Sequence, residues 1–269
     1  MTPDQWLQSS PLPKSEARML LQHALGCTRV QLLTQGGRPM GEAAQRQADA
    51  LAARRLNGEP VAYILGTREF YGRPFAVNPS VLIPRPETEH LVEAAIARLP
   101  QGGRVWDLGT GSGAVAVTVA LERPDAAVRA SDISTTALDT ARQNAAALGA
   151  TVEFCTGSWF DTDRPSEARS YDIIVSNPPY IEAGDAHLAQ GDLRFEPQTA
   201  LTDFSDGLSC IREIAARAPE FLKTGGHLLL EHGYNQGAAA REILTANGFS
   251  SVATLQDLAG LDRITLGSI

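Results

Sequence analysis

Apolar positions along this 269-residue chain recur with two different periods, and the change from one to the other falls near residue 67. Before it the spacing is helical. Ala17, Leu20, Leu21, Ala24 and Leu25 recur three and four apart over residues 15–25, and Gly26 is a natural stop. Residues 41–56 carry Ala44, Ala48, Leu51 and Arg55 on one face and end at Asn57-Gly58, and residues 60–65 add one further turn. Glu69-Phe70-Tyr71 and Phe75-Ala76-Val77, separated by Gly72-Arg73-Pro74, predict a β-hairpin that turns at residues 72–74. A Pro-rich charged loop then leads into an apolar helix over residues 90–99.

From residue 104 onward, short apolar runs alternate with helical stretches. Strands are predicted near 104–108, 127–131, 151–155, 171–176, 226–231, 249–255 and 262–267, and helices over 112–122, 134–148, 207–221 and 235–247. Such alternation predicts an α/β fold with a doubly wound, seven-stranded sheet. The last two strands are joined through Gln256 to Leu261 with no helix between them, so they should pair antiparallel, with the final strand reversed. Three regions are therefore expected: a small helical domain at 1–66, a hairpin linker at 67–83 and an α/β domain at 84–269.

Charge and composition narrow the choice. The chain carries −8 overall, but residues 1–76 hold 9 Lys/Arg against 6 Asp/Glu, while the remainder hold 14 against 25. An acidic α/β part is a poor groove for nucleic-acid phosphates. No apolar run is long enough to span a membrane, and the first thirteen residues show no basic-then-apolar leader, so no membrane association and a cytoplasmic location are expected. Cys27, Cys155 and Cys210 are few and far apart, and the five histidines lack ligand spacing, so no disulfide frame and no metal site are expected.

Candidate chemistry gathers at three strand ends. Asn177-Pro178-Pro179-Tyr180 follows the apolar run 171–176. The prolines stiffen the turn, Asn177 offers an amide acceptor and donor, and Tyr180 a ring face, a set suited to gripping a flat nitrogen-bearing group. Taken alone, the segment is as readily an ordinary proline-rich turn. Gly109-Thr110-Gly111-Ser112-Gly113 lies between a strand and an apolar helix, where glycines and a helix start let backbone approach a ligand. Its spacing is Gly-x-Gly-x-Gly and not the Gly-x-Gly-x-x-Gly of dinucleotide sites. Asp132, ending the next strand, is placed either to accept from ribose hydroxyls or to cap a helix.

Together these motifs resemble an S-adenosylmethionine-dependent amino-methyltransferase. More narrowly, residues 82–89 (Leu-Ile-Pro-Arg-Pro-Glu-Thr-Glu), Arg194-Phe195-Glu196-Pro197 and Leu230-Glu231-His232-Gly233 resemble the release-factor glutamine methyltransferases (HemK/PrmC), and the likeness covers nearly the whole chain. The resemblance implies methylation of the N5 amide nitrogen of the glutamine in the Gly-Gly-Gln motif of bacterial class-one peptide-chain release factors. It implies that residues 1–66 recognise the substrate protein and that residues 84–269 form the S-adenosylmethionine-dependent domain. It also implies that Gly109, Thr110, Gly111, Ser112 and Gly113 line the methionine part of the cofactor. Asp132 would hold its ribose, and Trp159, which read alone is a core aromatic, would lie by its adenine. Asn177 would touch both cofactor and substrate, with Pro178, Pro179 and Tyr180 completing the glutamine pocket; Asn177, Pro178 and Tyr180 carry the catalytic role. Many members have an acidic residue where this chain has Ser158. Arg85, Glu89 and Glu196 are candidate wall residues. The alternative is a methyltransferase acting on adenine or guanine amino groups of nucleic acid, which shares the Asn-Pro-Pro-Tyr logic.

Overall fold

Local capping and apolar spacing build the first of two compact units, Met1–Thr67 and Arg68–Ile269. The computed structural model describes residues 1–162 and 168–269. The first unit holds α1 (Pro3–Ser9), α2 (Lys14–Leu25), α3 (Arg29–Gln35), α4 (Glu42–Leu56) and α5 (Val61–Leu65). Helices α2, α4 and α5 match the periodic segments. Helices α1 and α3 are too short to repeat an apolar stripe, and their signal is the start alone. Thr2 and Thr28 each accept the N–H of the third residue on, Gln5 or Gln31, whose side chain returns to the cap N–H. Trp6, Leu20, Leu21, Leu51 and Ile64 form the core, each contributing roughly 1.5–3 kcal/mol by burial. The Trp6 indole N–H is satisfied by Asp49 at 2.7 Å.

The second unit opens within β1 (Thr67–Phe70), whose first residue closes the first unit, and with β2 (Arg73–Ala76), then continues through α6 (Glu89–Arg98), β3 (Arg104–Leu108), α7 (Ala114–Glu122), β4 (Ala127–Asp132), α8 (Thr135–Leu148), β5 (Glu153–Ser158), β6 (Asp161–Thr162) and β7 (Tyr171–Ser176). After it come α9 (Gln198–Leu201), α10 (Ser209–Phe221), β8 (Leu222–Glu231), α11 (Gly237–Ala246), β9 (Ser250–Gln256) and β10 (Asp262–Ser268). The hairpin turns at Tyr71-Gly72, one residue earlier than predicted, because both residues take positive φ (53° and 72°) as a two-residue turn demands. Its residues do more than link. Phe70 and Phe75 are fully buried edge-to-face, at 5.9 Å and 84°, within the core of this unit.

The large sheet has the order β6-β5-β4-β3-β7-β8-β10-β9. Its seven long strands are those predicted. The eighth, β6, is a two-residue piece antiparallel to β5, too short to carry a sequence period. Strands β5, β4, β3, β7 and β8 run parallel, and β10 lies antiparallel between β8 and β9. The tight link before β10 is closed by Asp257, whose carboxyl accepts from Ala259 N, Leu261 N and Arg263 Nε. On one face of the sheet, Trp106 packs with Phe160, Tyr171 and Phe221, and the buried Arg129 guanidinium lies 4.6 Å from its ring centroid. Strand β3 is paired with β4 on one side and β7 on the other, so chain order reverses there. A crevice at the carboxyl ends of these strands is the expected outcome of that reversal.

Candidate active site

The crevice is a cavity of about 450 Å³ walled by the loops after β3, β4, β5 and β7, by residues 80–88 and by the stretch 197–210. Its floor is the glycine turn. Gly109 N and Thr110 N donate to Ser131 O at 2.9 and 3.0 Å, tying the turn to β4. Gly109 has φ +71°, and a Cβ there would meet Trp159 Cζ3 at 3.3 Å. Asp107, at the end of β3, accepts from the Thr110 hydroxyl at 2.7 Å and from Ala116 N at 3.2 Å, locking turn to helix. Burial pushes its carboxyl up to about 7, against the two hydrogen bonds and with help from the Asp132 charge. Sequence reasoning passed over Asp107, although its place two residues before the glycine turn was a signal. Thr110, Gly111 and Ser112 line the cavity, whereas Gly113 does not. Gly113 instead begins α7, where an added Cβ would press on Ala141 Cβ of α8 at 3.0 Å.

Asp132 lines the opposite side of the turn. Its Oδ2 accepts from Gly111 N and its Oδ1 from Ser134 N, each at 2.8 Å. Ser134, and not Asp132, is the side-chain cap of α8. Burial raises the Asp132 pKa while the backbone N–H groups draw it down. The N–H groups of Ser134, Gly111 and Ile133 take three of the acceptor sites on its two oxygens and leave room for a further donor. Trp159 has φ +47°, its carbonyl accepts from the Ser131 hydroxyl at 3.3 Å, and it faces the cavity together with Gly157 and Ser158. It is also partly buried against the Trp106 cluster, so it lines the cavity and packs on the core at once.

Asn177 enters from the end of β7, where the Ser176 hydroxyl donates to Leu108 O at 2.7 Å and joins β7 to β3. Its Nδ2 donates to Thr88 Oγ1 at 3.2 Å. Asn177 and Pro179 line the cavity; Pro178 is buried and Tyr180 half-buried, and neither belongs to that wall. The Tyr180 carbonyl accepts from Gln236 Nε2 at 3.0 Å; the same nitrogen donates to Gly207 O at 3.2 Å, and Gln236 Oε1 accepts from Gly233 N at 2.8 Å. One glutamine thus braces three loops. Burial raises the Tyr180 phenol, and the nearby Glu231 charge adds to the rise.

Arg85 lines the cavity and is paired with Glu196, whose fully buried side chain also accepts from Ile83 N at 3.0 Å. Glu196 stands behind the wall and anchors it. Glu89 lies off the cavity wall and accepts from Tyr71 N at 2.9 Å, holding the hairpin turn. Cys210 lines the cavity, but burial pushes its thiol up to about 11, which disfavours a thiolate nucleophile. Among the described residues no group of three or more His, Cys, Asp or Glu is placed to hold a metal ion. The cavity therefore combines a buried carboxylate, a backbone-lined turn, an aromatic wall and one oriented carboxamide.

Comparison with known proteins extends this description. A family model described as the PrmC N-terminal domain matches residues 5–66, and one described as the methyltransferase small domain matches residues 87–193. The chain is 74% identical over 267 residues to a release factor glutamine methyltransferase of Neisseria gonorrhoeae, covering 99% of this chain and 97% of that protein. A release factor glutamine methyltransferase of Bordetella pertussis is 54% identical over 262 residues, covering 95% of each. Among solved structures, a methyltransferase from Pyrococcus furiosus matches with TM-score 0.55 at 19% identity, covering 84% of this chain and 98% of that one, a likeness of fold alone.

Proposed function

The chain belongs to the release factor glutamine methyltransferases, and from that premise we propose that it methylates the N5 amide nitrogen of the glutamine in the Gly-Gly-Gln motif of class-one release factors, using S-adenosylmethionine. The observation that carries this reading is Asn177. Its Nδ2 is tied to Thr88, so its Oδ1 is left as an acceptor on the cavity that also holds Asp132.

The residues fit the cofactor. The cavity volume lies within the range of small-molecule sites. Asp132 accepts from the ribose hydroxyls, Gly109 to Ser112 run along the methionine part, and Trp159 packs against the adenine. Gly113 acts from outside by shaping the start of α7. Ser158 carries no charge, so recognition of the adenine amino group does not rest on a carboxylate at that position.

When bound, S-adenosylmethionine supplies an electrophilic methyl group on a sulfonium whose departure needs no acid. A carboxamide nitrogen is a poor nucleophile because its lone pair is delocalised, and geometry supplies what basicity does not. Asn177 Oδ1 and the Pro178 carbonyl accept the two N–H bonds of the substrate amide and aim its nitrogen. Tyr180, outside the cofactor cavity, packs against the entering glutamine. Such positioning lowers a barrier by about 7–11 kcal/mol at most. The nitrogen becomes acidic only as the methyl arrives, so no His or Lys base acts beforehand, and the displaced N–H proton leaves to water.

Residues 1–66 recognise the folded release factor, and the hairpin is part of the catalytic unit. No described helix is long and apolar enough to cross a membrane, and a translation factor as substrate supports action in the cytoplasm. The acidic α/β part speaks against a nucleic-acid substrate. The test is incubation with labelled cofactor and purified release factor, followed by mass mapping. Label on the Gly-Gly-Gln glutamine supports the reading; label on purified RNA or DNA instead overturns it.

A further inference from the structure

Behind Asn177 lies a buried carboxylate that the reaction outlined above does not use. Glu231 ends β8 at 1% exposure, and its Oε2 has no hydrogen-bond partner among the described residues. The Thr88 hydroxyl and the Asn177 amide are its polar neighbours, and these two are themselves joined by the 3.2 Å bond from Asn177 Nδ2 to Thr88 Oγ1. Building on the amide-methylation reading, we infer that Glu231 and Thr88 are positioning residues that dictate which end of the Asn177 carboxamide faces the substrate.

The argument is one of donors and acceptors. An ionised carboxylate only accepts, so it takes the Thr88 O–H and leaves Thr88 Oγ1 to accept from Asn177 Nδ2. The Asn177 amide group is then turned toward Thr88 and Glu231, and Oδ1 is the end presented to a substrate N–H. A protonated Glu231 is a donor as well, and the chain of bonds can reverse. Asn177 Oδ1 would then turn inward and its NH₂ outward, where it meets the N–H groups of the substrate amide donor to donor. Correct polarity at Asn177 therefore follows from the charge on a residue 54 positions away in sequence.

The surroundings of Glu231 place this switch near neutral pH. Burial pushes its carboxyl up to about 7; Thr88, Arg263 of β10 and Asn177 draw it down, and Glu87, beside Thr88, pushes it up. The Tyr180 phenol, which feels the Glu231 charge, is itself raised and stays protonated throughout this range, and the next residue, His232, is bonded to Gly233 O and Thr265 with burial drawing its pKa down. A cationic cofactor in the adjoining cavity adds a pull toward the charged form.

The test compares the full-length wild type with Thr88→Val, Thr88→Ser, Glu231→Gln and Asn177→Ala, and with each of the first three combined with Asn177→Ala. Thr88→Val is expected to lower kcat on purified release factor by about 10- to 100-fold, the scale of a mispositioned reacting group. The KM for release factor and the Kd for S-adenosylhomocysteine should stay within about twofold, as expected when only transition-state alignment is lost. Thr88→Ser should recover most of the loss. In the Asn177→Ala background the Thr88 and Glu231 changes should add nothing. Wild-type kcat should fall as pH drops through the Glu231 ionisation, and this acid limb should vanish in Glu231→Gln. Multiplicative losses in the double variants, failure of Thr88→Ser to recover, or an unchanged acid limb would overturn the inference in favour of a purely structural role. An activity-free readout separates it from the substrate assignment: the Asn177 side-chain ¹⁵N resonance should titrate near pH 7 in wild type and not in Glu231→Gln. Absence of that titration overturns the positioning claim even if release factor is methylated. Its presence upholds the claim even if some other amide proves to be the substrate.

Discussion

Truncating Asn177 to alanine removes the only group proposed to face both cofactor and substrate, and the structure bounds what should follow. The carboxamide donates to Thr88 Oγ1 at 3.2 Å and has the buried Glu231 carboxyl as a second polar partner. Losing that bond at a half-buried site costs about 1 kcal/mol of stability, or roughly 2–4 °C in Tm for a domain of this size. The fold should therefore persist. The catalytic loss is larger. Removing one preorganised partner of a reacting group costs about 10²–10³ in kcat, or about 2.7–4 kcal/mol. Cofactor binding rests on other groups, Asp132 held at 2.8 Å by Gly111 and Ser134, the glycine turn and Trp159. The Kd for S-adenosylhomocysteine should thus rise by no more than about threefold, since no cofactor-facing bond is removed beyond that of Asn177 itself. Single-turnover transfer of labelled methyl to purified release factor measures the first quantity, and titration calorimetry the second. A variant that turns over within about threefold of wild type, or whose defect lies wholly in cofactor affinity, would refute the alignment mechanism.

Three further outcomes are expected. Gly109→Ala forces an L-residue to φ +71° and sets a methyl 3.3 Å from Trp159; the left-handed backbone alone costs about 1–2 kcal/mol, so affinity for S-adenosylhomocysteine should fall about tenfold or more, and unchanged calorimetric binding would contradict this placement of Trp159. Asp107, normally titrating near 3.8, is raised to about 7, so the unfolded chain releases its proton first and wild-type stability should fall as pH rises from about 4 to 7, by up to ~4 kcal/mol from this group; Asp107→Asn should flatten the Tm profile over that window, and an unaltered slope would remove Asp107 as its source. Residues 68–269 alone should methylate a short Gly-Gly-Gln peptide as well as the full chain does, yet be about tenfold or more poorer on folded release factor; equal efficiency on both would end the recognition role proposed for residues 1–66.

Much of the site was legible because its parts are local. The strands at 104–108, 127–132 and 171–176 are largely apolar and are buried without alternation, as strands covered on both faces are. The glycine turn and Asn177-Pro178-Pro179-Tyr180 directly follow two of those strands and Asp132 ends the third, so predicting the strands placed the motifs at one sheet edge. The early alternation of strand and helix from β3 onward also predicted a doubly wound sheet, whose strand order the structure supplied. The two short helices at Pro3–Ser9 and Arg29–Gln35 were legible in principle, through Thr-x-x-Gln starts, but carry too few residues for a period to be seen.

What the sequence determined by itself was the set of elements, their order and the three motifs at their ends, because these depend on residues within a few positions of one another. Tertiary structure alone decided which side chains stand behind those motifs. Thr88 meets Asn177 across 89 positions, Gln236 meets Tyr180 across 56, and Glu196 holds Ile83 across 113. It also decided that Glu231 is buried with its carboxyl pushed up, and that Gly113 packs against a helix while its neighbours Gly111 and Ser112 line the cavity. Burial and charge coupling fall off within a few ångströms in space and take no account of distance along the chain, so they exist only once the sheet has brought β3, β7 and β8 side by side.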